Sequence, residues 1–266
     1  MLRRASGLPH LAGGRCSCYP CLPVQLSDQL PDSGRRLFRG RSYIPLILLP
    51  LFALTFLTTD TLRATSSWWK AVSVAVSLAG LAIRVYVTGS APAGTSERST
   101  TSIRARTLNV RGAYSLVRHP LYVANTLVAL GLSMRSPLWL FPVVVLLLHV
   151  IYFERIAMAE ERFLREEFGR AFDDWTARVR AAIPSALGAF QAAPFAWRRA
   201  VTELHALMVI GAGFFVAEVL EDSLRSGALT IGIPARTLLG ATAVPFLLYV
   251  VVKRLGRGRA APVNQT

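Results

Sequence analysis

The sequence predicts an all-α, polytopic helical membrane protein with about six transmembrane helices and no Rossmann domain. Three observations carry that expectation. The 266 residues are 53% hydrophobic, with a mean hydropathy of +0.42. Apolar runs at 43–58, 68–87, 121–153, 205–220 and 237–252 approach or exceed the roughly 20 residues that one span needs. A soluble domain of this size has no use for runs that long. No G-x-G-x-x-G run joins a strand to a helix. The run 121–153 is long enough to fold back on itself at Arg135-Ser136-Pro137, which makes six spans. Its first arm, of about 15 residues, is short for a span.

Residues 1–41 read as a flexible basic tail. Cys16, Cys18 and Cys21 lie in it with CxCxxC spacing, but no fourth ligand is near and no metal is expected. The tail has no apolar h-region of a signal peptide. Residues 42–89 form the first transmembrane pair, joined by a polar turn around Asp60. Residues 90–184 form a core of polar loop, helical hairpin and interfacial helices. Pro120 suits the first turn of a helix, where its missing N–H costs nothing. Gly169 suits a helix C-cap. Phe172, Trp175 and Val179 recur at helical spacing, as on an interfacial amphipathic helix that ends at Pro184. Residues 185–252 read as a connector and an additional transmembrane pair, and 253–266 as a basic C-terminal tail. There is no internal repeat.

The net charge of +15 is patterned, and 28 of the 30 basic residues are Arg. With the N-terminus in the cytosol, the cytosolic segments hold 24 basic residues and the opposite side four, Arg63, Arg135, Arg225 and Arg236. The positive-inside rule then puts both termini in the cytosol, in a bacterial plasma membrane or the endoplasmic reticulum. The basicity reads as topology and attraction to anionic lipid headgroups. Without aromatic-interleaved basic stripes, it does not read as nucleic-acid binding, and no protein partner is evident.

The chemistry gathers at one end of the hairpin. A hairpin leaving the surface at Pro120 and returning near Glu154 brings Arg118, His119 and Tyr122 to the same rim as Glu160-Glu161, which overshoot it by roughly 9 Å. Taken singly these residues are ordinary. Arg118 and His119 read as a solvated flank, Glu160 and Glu161 as a solvated helix face, and Tyr114 and Tyr122 as an aromatic belt. Positive-inside bias does not, however, demand their joint order.

That order resembles a known family. The stretch Thr107-Leu-Asn-Val-Arg-Gly-Ala-Tyr-Ser-Leu-Val-Arg-His-Pro-Leu-Tyr122, then Glu160-Glu161-x-x-Leu164-x-x-x-Phe168-Gly169, then Trp175, Val179 and Ile183-Pro184, is similar to the isoprenylcysteine carboxyl methyltransferases and the related phospholipid methyltransferases. The match spans about residues 80–184. The resemblance implies an all-helical membrane enzyme that uses S-adenosylmethionine. It implies cofactor contacts from Arg106, Thr107, Leu108 and Asn109, from Tyr114 and Arg118, from His119, Pro120, Leu121 and Tyr122, and from Glu160. The acceptor would be a membrane lipid or lipidated molecule, offering a carboxylate, a phosphate or an amine headgroup. Arg155 would align an anionic acceptor, and Glu161 would serve as acid-base residue for an amine.

Some positions depart from the family pattern. Ala124 stands where Gly is common. Ile156 stands where the family tends to carry Arg, which leaves Arg155 about 100° round the helix. Arg84 is a second candidate for the acceptor anion, or a snorkelling side chain. Membrane sterol-type reductases share the Arg-His-Pro-x-Tyr run and bind NADPH, but carry an acid where this chain has Asn125. A non-enzymatic scaffold or transporter would tolerate exchange of Arg118, His119 and Glu160. A transporter would also place ionisable groups at mid-membrane, whereas His149 reads as a packed helix residue.

Overall fold

The structure, a computed structural model, describes residues 26–40, 44–58, 66–92, 105, 107–184 and 190–257. Among these residues the chain is helical: α1 (Leu26–Gly40), α2 (Ile44–Leu57), α3 (Ser67–Ser90), α4 (Pro120–Ser133), α5 (Leu140–Phe168), α6 (Arg170–Thr176), α7 (Trp197–Ala200), α8 (Leu204–Ser226) and α9 (Ile233–Arg257). Four helical stretches are long and apolar enough to cross a membrane: Ser67–Ser90, Leu140–Phe168, Trp197–Ser226 and Ile233–Val251. Two apolar helices are shorter, Ile47–Leu57 and Pro120–Ser133. The expected all-α membrane architecture is therefore present, with α4 as the short arm of the hairpin. Leu147, Leu148, Val150 and Ile151 on α5, and Leu239, Val244, Leu247 and Leu248 on α9, stay exposed. A bilayer would cover those faces.

The hairpin turns where the sequence places the break. α4 stops at Ser133, and the Ser136 hydroxyl accepts from the Leu138 N–H at 3.1 Å, a local side-chain turn that lets α5 start at Leu140. α3 packs along α4 through small residues. A Cβ on Gly80 would stand 2.6 Å from the Ala124 carbonyl oxygen, and one on Gly131 2.3 Å from Ser77 Oγ. Close backbone approach of this kind is how helices associate where apolar burial gives no preference over lipid.

α8 lies antiparallel to α3 and is pinned to it at both ends by buried charge. Near the end of α3, Arg84 Nε and Nη2 both donate to Glu203 Oε2 (2.9 and 2.7 Å), and Thr88 donates to Glu203 Oε1 at 2.9 Å. Near its start, Lys70 Nζ meets Glu218 at 2.9 Å and Glu221 at 3.0 Å. Arg135, from the hairpin turn and only 1% exposed, joins the same two carboxylates at 2.9 and 2.8 Å. Lys70 and Arg84 are fourteen positions apart, so they lie about 21 Å apart along the axis and within about 40° of one face. Arg84 is therefore no snorkelling side chain: it holds Glu203 and also bonds Asn125 on α4.

Two expectations need correction. Residues 26–40 of the expected tail form the amphipathic helix α1, which packs on α5. Its buried stripe is Pro31, Gly34 and Phe38. A Cβ at Gly34 would stand 2.0 Å from the Arg155 carbonyl oxygen, and Tyr152 Oη donates to the Leu37 carbonyl at 3.2 Å. The small and kinking residues that allow this approach also hide the helix from a composition-based reading. The second correction concerns α6, which ends at Thr176. Phe172, Trp175 and Val179 do form one buried cluster, but Val179 reaches it from the turn beyond the helix. The tail cysteines lie outside the described residues.

Removing one member of a buried ion cluster leaves charge without compensation, at a cost of about 3–5 kcal/mol, whereas an exposed pair contributes about 1 kcal/mol or less. Arg135→Met is therefore expected to lower the thermal midpoint in detergent sharply. Arg225→Gln, which removes the half-exposed partner of Glu221, should lower it little. Equal shifts would contradict the burial described.

Candidate functional site

The site rests on a loop that is tied down from three sides. Gly112 opens a 3-10 turn (Gly112–Ser115) with φ of +62°, a conformation that disfavours side chains. Its N–H donates to the Gln191 carbonyl at 2.8 Å, and the Gln191 N–H donates to Ser115 Oγ at 3.0 Å, so the connector holds the turn. Trp175 Nε1 donates to the Tyr114 carbonyl at 3.1 Å. Leu108, Val110 and Tyr114 pack on the Phe172, Trp175 and Val179 cluster. The Arg118 and His119 N–H groups donate to the carbonyls of Arg180 (2.9 Å) and Ala181 (3.0 Å). The path of the chain into Pro120 is thereby set before α4 begins.

At that start, two consecutive carboxylates of α5 are clasped by different partners. Tyr122 Oη donates to Glu160 Oε1 at 2.6 Å. Arg118 Nη1 donates to Glu161 Oε2 at 3.0 Å, and His119 Nε2 lies 2.8 Å from Glu161 Oε1. The other ring nitrogen of His119 is 3.7 Å from Glu160 Oε2, so the imidazole stands between the two acids. Three rings continue the clasp inward. His119 stacks on Tyr122 with centroids 5.5 Å apart, and Tyr122 stacks on Phe153 at 4.6 Å. Phe153 and Glu160 are seven positions apart on α5, nearly the same face. One tyrosine can thus lie on the ring of the first while its hydroxyl reaches the second.

Of the residues expected at the site, the structure brings together Arg118, His119, Tyr122, Glu160 and Glu161, with Pro120 buried beneath them at the first position of α4 and Leu121 half-buried beside it. Tyr114 sits behind the clasp. Thr107 is exposed, and Asn109 turns its side-chain oxygen to the Arg111 N–H at 3.3 Å. Leu108 gives its side chain to the Phe172 cluster. Arg106 lies outside the described residues. Arg155 does not join the group. Five positions before Glu160, it falls about 140° round α5, on the side where α1 packs. Arg84 faces Glu203 and Asn125. Sequence reasoning missed the Phe153 ring, whose signal is its seven-residue spacing to Glu160. It also missed Glu203, Glu218 and Glu221, whose signal is that acids beside an apolar helix require cations on a neighbour.

A cationic, hydroxyl-bearing cofactor fits this donor set. The two carboxylates suit an ammonium or ribose hydroxyls, and the stacked rings suit an adjoining flat or sulfonium surface. Comparison with known proteins points the same way. Residues 72–171, 100 of the 266, match the family model for phospholipid methyltransferase, in line with the resemblance that the motifs carry. No curated protein and no solved structure matches the chain.

Burial and the nearby Glu160 carboxylate both push the Tyr114 phenol above its ordinary value near 10. The folded state thus holds this proton more tightly than the unfolded chain. The associated stability is present in full below pH 10 and is lost as the pH climbs through the raised value. Tyr114→Phe should therefore flatten the decline in thermal midpoint above pH 10 while leaving neutral pH little changed. An identical alkaline decline in both proteins would count against the buried phenol.

Proposed function

We propose, for a chain whose residues 72–171 carry the phospholipid methyltransferase pattern, that it is an integral membrane, S-adenosylmethionine-dependent methyltransferase acting on the headgroup of a membrane lipid. The observation that carries this reading is the split clasp: Glu160 held by Tyr122, and Glu161 held by Arg118 and His119. The charge asymmetry favours a site facing the cytosol, with both termini on that side and anionic headgroups around it.

When bound, S-adenosylmethionine supplies an electrophilic methyl group on a sulfonium. The remaining work falls to the chain. Glu160 and Tyr122 would orient the polar end of the cofactor. The stacked His119, Tyr122 and Phe153 rings exclude water from the apolar end. Catalysis of this kind comes mainly from holding donor and acceptor in line.

Two observations favour an amine over a carboxylate acceptor. Arg84 is held by Glu203, and Arg155 lies on the α1 side of α5, so neither cation offered for an anionic acceptor faces the clasp. An amine must lose a proton as the new N–CH3 bond forms. Glu161, bonded to Arg118 and to His119, would be the candidate to take that proton.

Equilibrium dialysis of the purified protein in nanodiscs with methyl-tritiated S-adenosylmethionine and, separately, NADPH tests the cofactor. We expect binding of the first alone. Tyr122→Phe removes a bond to a charged group, about 1.5–3 kcal/mol, and should weaken binding about tenfold or more. Label should move into an amine-bearing lipid in extracts. Binding of NADPH without S-adenosylmethionine would overturn the reading in favour of a sterol-type reductase.

A further inference from the structure

α1 runs along α5 in the opposite sense, and its contacts fix its depth. Gly34 packs against Arg155 and Ala159, and three residues later the Leu37 carbonyl accepts from Tyr152 Oη. On α5, Leu148, Val150 and Ile151 are exposed and apolar, and the next exposed residue is Glu154. Leu37 therefore lies where a bilayer-facing surface gives way to a polar one. α2 agrees with this depth, since it starts at Ile44 and its Ile47 and Leu49 are exposed. The last two turns of α1 thus stand at the level of the headgroups, next to the point where α2 enters the hydrocarbon.

Those turns are cationic on the face that α5 leaves open. Residues 34–40 hold Arg35, Arg36 and Arg39 and no acid. Pro31, Gly34 and Phe38 are buried, and all three Arg are exposed. At 100° per residue, Arg36 falls opposite the buried stripe, and Arg35 and Arg39 share one flank of it. Arg35 pairs with Asp32, one turn earlier. Arg36 and Arg39 have no ion pair among the described residues, and neither has Arg155, half-buried on the side of α5 where α1 packs. Against these four guanidinium groups stand two carboxylates at this depth, Asp32 and the exposed Glu154, which leaves an excess of positive charge. Asp28 lies nine positions before Leu37, about 14 Å further along the axis. A helix at the interface with a basic polar face is drawn to anionic headgroups, each cation strengthening the attraction about fivefold.

From this placement we infer that the outer face of α1 binds the anionic headgroups of phospholipids in the leaflet that α2 enters, with Arg36 and Arg39 as its unpaired cations. The lipid held there is not the methyl acceptor. Arg155 lies about 140° round α5 from Glu160, so α1 covers a side of α5 turned away from the clasp. The site therefore stands whether or not the chain transfers methyl groups. Its effect falls on α1 itself. A helix of 15 residues with Pro31 inside it makes a modest contact with α5, and the headgroups give it a second hold.

The test uses the full chain in neutral detergent micelles with a trace of dye-labelled phosphatidylglycerol or phosphatidylcholine, binding being read by anisotropy at fixed ionic strength. Arg36→Gln/Arg39→Gln removes the two unpaired cations at exposed positions. Arg162→Gln/Arg170→Gln removes the same charge on the overhang and serves as the baseline, Arg162 lying ten positions past Tyr152, about 15 Å further from the bilayer. Wild type and baseline should prefer phosphatidylglycerol, and the α1 variant should lose that preference by about tenfold or more. Its affinity for phosphatidylcholine should be unchanged, the sign of an intact protein. Arg36→Lys/Arg39→Lys, which keeps the charge, should retain the preference, and added salt should weaken it in wild type. A wild type without the preference would overturn the proposal. So would an α1 glutamine variant that keeps it, or a baseline variant that loses as much. No reading involves turnover or S-adenosylmethionine, so failure of the methyltransferase reading would leave each of them as it stands.

Discussion

The pairing of buried carboxylates with cations on other helices is the constraint on which the rest of this molecule depends. In an apolar surround a lone charge is far too costly to keep, while a paired one is tolerated when geometry and further hydrogen bonds are good. Glu203, Glu218 and Glu221 all belong to the segment beginning at Val201, and all find their cations on α3 or on the hairpin turn. No apolar preference would choose one face of α8 over another against lipid. The charges do choose, and they fix both the face and the antiparallel sense of the docking. Among the described residues no ion pair ties α9 to the core, and the helix packs chiefly on α8.

The same rule at the open end of the hairpin produces a site in place of a strut. Glu160 and Glu161 stand 100° apart on α5, so one stretch of chain can satisfy both only by approaching from two directions. Arg118 and His119, just outside α4, take Glu161, and Tyr122, inside its first turn, takes Glu160. The difference between the two acids is chemical. One accepts from a phenol hydroxyl. The other is bound to a guanidinium and an imidazole, which hold it in its charged form.

How much of this was legible depended on sequence distance. The rim residues fall at the two ends of one hairpin, so a count of 1.5 Å per residue places Arg118, His119, Tyr122, Glu160 and Glu161 together without tertiary knowledge. The turn at Arg135-Ser136-Pro137 was legible for the same reason. Arg84 and Glu203 are 119 positions apart, and Arg135 and Glu218 83, and no local pattern states such a pairing. Arg84 therefore read as a solitary cation. α1 was hidden differently. Pro31 and Gly34 signal a broken chain locally, yet they are the residues that allow α1 to touch the α5 backbone. Arg155 read as one residue out of place, but α1 packing on its face of α5 puts it on another side altogether.

The mismatch between the two arms of the hairpin explains why the site lies where it does. α4 has 14 residues, about 21 Å, while α5 has 29, about 43 Å. Joined at one end by a short turn, they cannot finish level. α5 runs on past the start of α4, and Glu160 and Glu161 lie on this overhang. Without the loop 107–118, their carboxylates would face water beyond the end of α4. The loop fills that step and is held there by the Phe172 cluster and the connector. Tyr122 closes the remaining gap, its ring against Phe153 within the bundle and its hydroxyl on Glu160 at the overhang. A helix of ordinary spanning length in place of α4 would bring the arms level and remove the step. The short arm is therefore the feature that sets a polar, acid-bearing step beside an apolar helix face.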